Sequence, residues 1–342
     1  MKRRATILLL AGGILLSSCG GNENLISKSD PQSSNEEEDA ISVISPAGAP
    51  AIALYSRIND ENLKTTKDAS QVALAVKTNT SADAVVFDGV NALKFVKANQ
   101  TATKWKLARW LTGGNFYLVS TKHESIESFN ADSKILSFGN GLLPDKVFRM
   151  LASERWNITI TEENTKYESG TAAVSAILGS DNFGSYDYYF IAEPTLQAAK
   201  ATLQSAHPDV SVHEIYNLRE EWKAFSGMEY IPQAGLFVNP ASMEGKAEAM
   251  NDFLGEIDTN LTDAVESPAK VVSALNELEA DTDVQADRLG FKAPLVSALQ
   301  KNGANRFGMV KPGTIEDNRD FVNTFMEKIG ESVSFEADQF LS

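Results

Sequence analysis

Apolar and polar positions alternate in two rhythms from residue 41 onward. Short apolar runs predict buried strands, and segments with apolar residues three or four positions apart predict helices between them. The predicted strands are residues 41–44, 71–76, 82–87, 105–110, 115–120, 134–138, 158–161, 186–192 and 235–239. The predicted helices are residues 51–58, 90–98, 145–156, 172–178 and 196–203, followed by a largely helical stretch over 242–289. This order predicts parallel sheets with crossover helices, in two sets whose loops face one cleft.

The start of the chain has the pattern of an export signal. Basic residues at positions 2–4 precede an apolar run over residues 7–16, which is too short to cross a bilayer. The next residues, Leu16-Ser17-Ser18-Cys19, resemble the lipobox of bacterial lipoproteins. The resemblance implies cleavage of residues 1–18 and acylation of Cys19, with fatty chains such as palmitate that anchor the protein in a membrane. Two alternatives stay open, a plain cleaved signal and a buried structural cysteine.

Residues 19–40 are predicted to form a flexible acidic tether. They are rich in Gly, Asn, Ser and acidic residues, so they bury too little apolar surface to fold. The whole chain has 342 residues, 43% of them hydrophobic, which is a globular composition with room for two domains. Its formal net charge of -15 argues against a nucleic-acid partner, because phosphate binding needs a basic surface.

The sequence contains none of the motifs that indicate an enzyme, a cofactor or a metal site. A single cysteine excludes an internal disulfide and a thiolate metal cage. The histidines, His123, His207 and His213, lack the spacing of metal ligands. No nucleophile elbow, P-loop or dinucleotide-binding glycine motif opens a predicted helix. We therefore predict a protein that is not an enzyme and that has no cofactor and no metal.

Several stretches of the folded part resemble one family. Residues 44–50, Ile-Ser-Pro-Ala-Gly-Ala-Pro, follow the lipoprotein signal and the tether as in a solute-binding lipoprotein of an ABC importer. Residues 138–156, the helix opening Gly170-Thr171 and residues 186–194 resemble the second lobe of the subgroup that binds nitrate, sulfonates, taurine or thiamine precursors. The resemblance implies an α/β fold of the type II periplasmic-binding-protein class, with two lobes, a cleft between them and two crossing hinge strands.

The same resemblance implies the limits of the lobes. Lobe 1 takes residues 41–120 and returns, with C-terminal helices, over residues 233–342, while lobe 2 takes residues 121–232. The chain then crosses between the lobes near Ser120 and again near Gln233.

The function that the resemblance implies is capture of a small organic solute outside the cytoplasm. The solute would be a sulfonate, a pyrimidine, a thiamine precursor or a similar molecule, delivered to an ABC permease and its ATPase subunit. The protein would be a monomer, lipid-anchored at the cell membrane and facing the periplasm or the cell surface. An alternative of another class is a surface lipoprotein with the same fold that acts in adhesion or scaffolding without transport.

The candidate ligand-binding residues lie in loops that follow predicted strands: Ser45, Gly48, Ala49, Asp88, Asn140, Thr171 and Glu193. Helix N-termini in such loops carry free amides and partial positive charge, so they can hold an anion even in an acidic protein. Each candidate also has a structural alternative. The first three could form only a turn, Asp88 could be only an N-cap, and Asn140 and Thr171 share this ambiguity. Glu193 either meets a polar or cationic ligand group or pairs with a basic residue across the hinge.

Overall fold

The computed structural model describes residues 40–67, 69–78, 81–99, 105–278 and 288–341. The predicted signal peptide, the acylation of Cys19 and the tether up to residue 39 lie outside these residues. Among the described residues, no helix is both long enough and apolar enough to cross a membrane.

Strands and helices alternate along most of the described chain. The strands are β1 Val43–Pro46, β2 Leu63–Thr66, β3 Ala84–Asp88, β4 Lys106–Trp110, β5 Phe116–Ser120, β6 Ile135–Phe138, β7 Thr165–Glu168, β8 Tyr188–Ala192, β9 His213–Asn217 and β10 Ala234–Val238. The helices are α1 Ala69–Thr78, α2 Gly89–Ala98, α3 Leu143–Trp156, α4 Thr171–Leu178, α5 Thr195–Ala206, α6 Leu218–Ser226, α7 Pro240–Gly245, α8 Ala247–Glu266, α9 Pro268–Leu278, α10 Pro294–Gln300 and α11 Asn318–Lys328. A 3-10 helix over Ala49–Arg57 follows β1.

The strands form two mixed sheets. The first sheet has the order β2-β1-β3-β10-β4, and the second has the order β7-β6-β8-β5-β9. In each sheet the strands that precede a crossover helix are parallel, as the sequence predicts. The strands next to a passage between the sheets, β5 and β10, run antiparallel to their neighbours. The predicted α/β class with two sheets is thus confirmed.

The chain passes between the sheets twice. It leaves the first sheet after β4 and enters the second at β5, and it returns through residues 227–233 to β10. The sequence predicts the first passage near Ser120, but the sheet order puts it at residues 111–115, because β5 pairs with β8 and β9.

Two predicted strands are wrong. Residues 71–76 lie inside helix α1, where Val72, Ala75 and Val76 are buried at helical spacing and Leu74 is exposed. A short apolar run rich in alanine is compatible with a strand and with the buried face of a helix, and these residues form a helix. Residues 158–161 form a loop. Ile160 is buried in the core, so its apolar character reflects packing and not strand pairing.

Three strands were not predicted from the sequence, and all three lie at the edge of a sheet. β2, β7 and β9 each end a sheet, so within the part of the chain that the structure describes each pairs with a strand on one side only. Polar and charged residues are common on such strands, because they discourage pairing with another chain. The sequence Thr-Lys-Tyr-Glu of β7 shows how little apolar signal remains.

The apolar core is continuous between the two sheets. One cluster contains Trp110 and Phe237 of the first sheet together with Phe190 of the second, and Phe325 of helix α11 belongs to it as well. The ring of Phe325 lies 5.0 Å from that of Trp222 in α6. Helix α11 therefore packs against elements of both sheets, which a chain with two independent cores would not show.

Candidate ligand-binding cleft

The two passages join the two sheets at corresponding edges. At the first sheet, Ala234 pairs with Asp88, the last residue of β3. At the second sheet, Phe116 pairs with Ala192, the last residue of β8. The passages therefore connect the carboxyl ends of the parallel strands of one sheet to those of the other. These ends are where α/β proteins bind ligands, so the space between the two edges is the candidate cleft.

A chain of hydrogen bonds runs through the passages from one edge to the other. The amide of Gly89 donates to the carbonyl of Gln233 at 2.7 Å. The Gln233 side chain accepts from the amide of Gly114 at 3.1 Å and donates to Asn115 Oδ1 at 2.9 Å. Asn115 Nδ2 donates to the carbonyl of Glu193 at 2.5 Å, and the Glu193 amide donates back to the carbonyl of Asn115 at 2.9 Å. Backbone on both edges is thus tied to the passages.

The structure places all seven predicted residues at these edges. On the first edge, Ser45 is fully buried, and its hydroxyl donates to the Pro46 carbonyl at 3.0 Å. Gly48 adopts φ +107°, a conformation that favours glycine, and its amide donates to the carbonyl of Leu289 at 2.6 Å. Ala49 is buried at the start of the 3-10 helix. The turn alternative therefore describes these residues, and the Gly48 amide is already bonded within the chain.

Asp88 is the N-cap of helix α2. Its Oδ1 accepts from the amide of Asn91 at 3.0 Å, and its Oδ2 accepts from Asn91 Nδ2 at 3.0 Å. Burial raises the pKa of Asp88, and the hydrogen bonds from Asn91 offset part of that rise. Capping is the structural alternative that the sequence left open, and it occupies both carboxylate oxygens.

On the second edge, Asn140 lies in a tight turn after β6. Its neighbours Gly139 and Gly141 have φ of +64° and +72°, which explains the Gly-Asn-Gly sequence. The buried carboxylate of Asp145 accepts from the Gly141 amide at 3.0 Å and from the Tyr167 hydroxyl at 2.8 Å. The side chain of Asn140 is exposed on a turn that Asp145 holds in place.

Thr171 ties the starts of two helices together. Its Oγ1 accepts from the amide of Ala192 at 3.0 Å and lies 2.7 Å from Thr195 Oγ1. Thr195 Oγ1 donates its own proton to the carbonyl of Ala192 at 2.7 Å, so Thr171 is the donor between the two hydroxyls. These bonds join helix α4 to the end of β8 and to helix α5.

Glu193 pairs with Arg306, which the sequence analysis did not single out. Glu193 Oε1 accepts from Arg306 Nη2 at 2.6 Å and from Nε at 3.0 Å, while Oε2 accepts from the Gln197 amide at 3.1 Å. Burial raises the pKa of Glu193, and the guanidinium of Arg306 acts against that rise. The pairing is the second of the two alternatives for Glu193, a basic residue across the hinge.

Arg306 also binds a second carboxylate and an aromatic ring. Its Nη1 and Nη2 donate to Glu214 at 2.8 Å each, and its guanidinium lies 4.3 Å from the ring centre of Tyr117. Burial acts to raise the pKa of Glu214, but the hydrogen bonds from Arg306 and Lys200 outweigh it and hold the pKa below its usual value. Arg306 follows Glu193 by 113 positions, so no local pattern could have linked them.

The hydroxyls of Ser45 and Thr171 and the amide of Gly48 at the cleft edges are bonded within the chain, whereas the carboxamide of Asn140 is exposed. Within the described ranges, no group of three or more His, Cys, Asp and Glu side chains is placed to hold a metal ion. Such an arrangement suits recognition by hydrogen bonds.

Solved structures have the same fold at low sequence identity. A structure described as an ABC transporter from Parabacteroides distasonis has a TM-score of 0.62 and 16% identity, covering 89% of this chain and 99% of that one. The ligand-binding component of an ABC-type import system from Staphylococcus aureus, with zinc bound, has a TM-score of 0.57 and 10% identity, with coverages of 88% and 96%. The periplasmic aliphatic sulphonate binding protein SsuA from Escherichia coli has a TM-score of 0.54 and 10% identity, with coverages of 89% and 92%.

No protein-family model matches the sequence, and no curated protein matches it either. The likeness to solved structures at these identities concerns the fold. The chain has the two-sheet fold of the periplasmic solute-binding proteins of ABC transport systems, as the resemblance in its sequence implies.

Proposed function

We propose that this chain is the solute-binding component of an ABC importer. It captures a small organic solute between the two sheets and delivers it to a membrane permease with an ATPase subunit. The protein acts as a monomer outside the cytoplasm, held at the membrane by acyl chains on Cys19. Solved structures of the same fold include ligand-binding components of import systems, which supports the proposal.

The observation that carries the proposal is the meeting of two carboxyl-end edges at the passages. A solute that contacts both edges stabilises the arrangement in which the sheets are close, because its affinity for that arrangement is higher. The seven predicted residues lie on the two edges and remain the proposed contacts. A substitution of Asn140 is the most direct test of these contacts, because its side chain is exposed at the second edge.

The hydrogen-bonding groups of the proposed contacts suit a sulfonate or a pyrimidine. The carboxylates among the proposed contacts, Asp88 and Glu193, already accept hydrogen bonds from Asn91, Arg306 and Gln197 through both of their oxygens. A sulfonate or a pyrimidine needs only donors and acceptors of the kind that amides and hydroxyls supply.

A thermal-shift screen of the full chain with sulfonates, pyrimidines, thiamine precursors, flavins and amino acids tests this function. A compound that binds only the folded state raises the melting temperature, by an amount that grows with its concentration relative to the dissociation constant. We expect a sulfonate or a pyrimidine to produce such a shift. A flat response to every compound would reject the proposal.

A pair of variants at the two ends of one strand tests the position of the site. Asn140 follows β6, whereas Asp132 is exposed in the loop that precedes the same strand. We expect Asn140→Ala to weaken binding of the compound found in the screen by about tenfold, the loss of one or two hydrogen bonds. The matched control Asp132→Ala should leave the dissociation constant unchanged. Equal effects of both variants would place the solute elsewhere.

The membrane anchor and the adhesion alternative are tested in cells. Cys19→Ala should release the protein into the soluble fraction, because acyl chains hold it at the membrane. Retention of that variant in the membrane would reject acylation. Uptake of the solute should fall when the gene is deleted, whereas a surface scaffold would leave uptake intact and change cell attachment instead.

A further inference from the structure

The segment that carries Arg306 belongs to the first-sheet side of the molecule. Phe307 and Met309 are fully buried in the apolar cluster that also contains Leu236 of β10. The amide of Arg306 donates to the carbonyl of Leu299 at 3.2 Å. The backbone around Arg306 is therefore held by the core beneath the first sheet.

The guanidinium of Arg306 contacts the second-sheet side. It binds Glu193, which follows β8, and Glu214 of β9, and it lies over the ring of Tyr117 in β5. An arginine fork is planar and rigid, so two carboxylates and a ring face determine its position and its orientation together. One side chain thus links a backbone held on one side to three elements of the other side.

This link lies next to the first passage between the sheets, residues 111–115. The carbonyl of Gly308 accepts from the amide of Gly113 at 2.7 Å. A Cβ atom at Gly308 would lie 2.2 Å from the carbonyl oxygen of Gly114, so only glycine allows this approach. On the other flank, Arg219 Nη1 of helix α6 donates to the carbonyl of Asn305 at 3.2 Å. The segment therefore contacts the first passage at Gly308 and helix α6 at Asn305, one on each side of Arg306.

We propose that Arg306 is a positioning residue that sets the angle between the two sheets and, through it, the width of the cleft. A rotation at the passages moves the outer rims of the sheets by much more than it moves Arg306, because the rims lie far from the pivot. Without the guanidinium, the buried Glu193 carboxylate has to reach water, and the turn after β8 has to move with it. The inference rests on the proposed function only in treating the space between the sheets as the solute site.

Spin labels on the outer edges of the sheets measure this angle. Cys19→Ser removes the single cysteine of the full chain, so labels can be attached at Lys64→Cys and Glu162→Cys. Lys64 is exposed on β2 and Glu162 is exposed in the loop before β7, the outer strands of the two sheets. The distance between the labels is measured by electron-electron double resonance without any solute. We expect Arg306→Gln to widen the distance distribution about twofold relative to the unchanged residue.

Lys200→Gln is the matched control. Lys200 also pairs with Glu214, but it lies on α5, which follows β8 on the second-sheet side. It therefore removes the same charge from the same carboxylate without removing a link between the sheets, and the distribution should stay narrow. Arg306→Lys should restore part of the narrowing, because an ammonium group keeps the charge but not the fork.

Two results would overturn the inference. One is a folded Arg306→Gln protein whose distance distribution equals that of the parent. The other is a Lys200→Gln protein that widens as much as Arg306→Gln. If Arg306→Gln does not fold, Glu214→Gln replaces it, with a smaller widening expected and an unchanged distribution counting against the inference. No solute takes part, so a failed compound screen and a failed distance measurement are separate outcomes.

Discussion

Two ionic clusters link the first-sheet side to the second, and they differ in burial. The Arg306 cluster consists of Arg306, Glu193 and Glu214. The Glu331 cluster consists of Glu331, Lys94 and Lys146. In the second cluster a carboxylate that follows α11 is bound by a lysine of α2, on the first-sheet side, and by a lysine of α3, on the second. Its separation from Lys94 Nζ is 3.5 Å.

The charged side chains of the two clusters differ in their exposure to water. The Glu193 side chain is 0% exposed, whereas Lys94 and Lys146 are 34% and 44% exposed. Water screens the lysines and competes for them, and long flexible side chains lose entropy when they pair. The buried carboxylate has no such alternative, so its partner cannot be removed cheaply. Ion pairs of similar chemistry therefore contribute unequally to stability in the two clusters.

The largest expected effect comes from removing the buried cation. Arg306→Ala should lower the free energy of unfolding by about 3 to 5 kcal/mol, because it leaves an unpaired carboxylate in the interior. Lys146→Ala, its counterpart in the Glu331 cluster, should cost less than about 1 kcal/mol. Urea unfolding at neutral pH measures both values. Equal losses would remove burial as the difference between the clusters.

A second contrast uses two glycines with positive φ, one near each cluster. Gly308 has φ +67°, with the carbonyl of Gly114 against its Cα, whereas Gly330 has φ +74° and open space around it. Gly330→Ala should cost about 1 to 2 kcal/mol, the strain of a left-handed alanine. Gly308→Ala should cost about 3 kcal/mol or more, because a backbone clash is added to the same strain. Comparable costs in urea unfolding would show that the segment can retreat from the passage.

The pH dependence separates the two carboxylates of the Arg306 cluster. The pKa of Glu214 is held low, so its contribution to stability is present above its usual pKa and is lost as pH falls through the lowered value. The pKa of Glu193 is raised by burial, so its contribution falls instead as pH rises from the usual pKa through the raised value. Between pH 7 and pH 4, Glu214→Gln should therefore lose less stability than the parent and Glu193→Gln more.

As the pH falls, the two variants are therefore expected to differ from the parent protein in opposite directions. Unfolding free energies at pH 7, 5 and 4 decide the matter. Changes of the same sign in both variants would contradict the assignment of burial to Glu193 and of pairing to Glu214.

The smallest expected effect belongs to salt. Glu331→Gln should change the free energy of unfolding by less than about 1 kcal/mol at low ionic strength. In 1 M NaCl the difference should vanish, because the screening length falls to about 3 Å. The effect of Arg306→Gln should persist at the same salt concentration. A salt-resistant effect of Glu331→Gln would mean that this cluster is shielded from solvent after all.

Much of the architecture could be predicted from local pattern. The strands at β1, β3, β4, β5, β6, β8 and β10 lie where apolar runs predict them, because these strands are buried. The errors have physical reasons of their own. The edge strands β2, β7 and β9 carry little apolar signal, and the alanine-rich run in α1 suits a helix face as well as a strand.

The candidate site was predictable only in part. Loops after parallel strands are read from the order of elements, so the seven candidate residues lie on the two edges. Their partners come from distant parts of the chain. Arg306 reaches Glu193 across 113 positions, and the carbonyl of Leu289 takes the amide of Gly48. Neither partner belongs to a motif, since a single long-range contact leaves no periodic trace in sequence.

The sequence by itself determined the two-sheet α/β class, the loops that form the cleft edges and the choices open to each candidate residue. Apolar periodicity and capping chemistry act within a few residues, so they can be read along the chain. Only the tertiary structure decided that Asp88 caps a helix, that Thr171 joins two helix starts and that Glu193 is paired. Burial and long-range pairing depend on which distant segments meet, and that is settled when the whole chain packs.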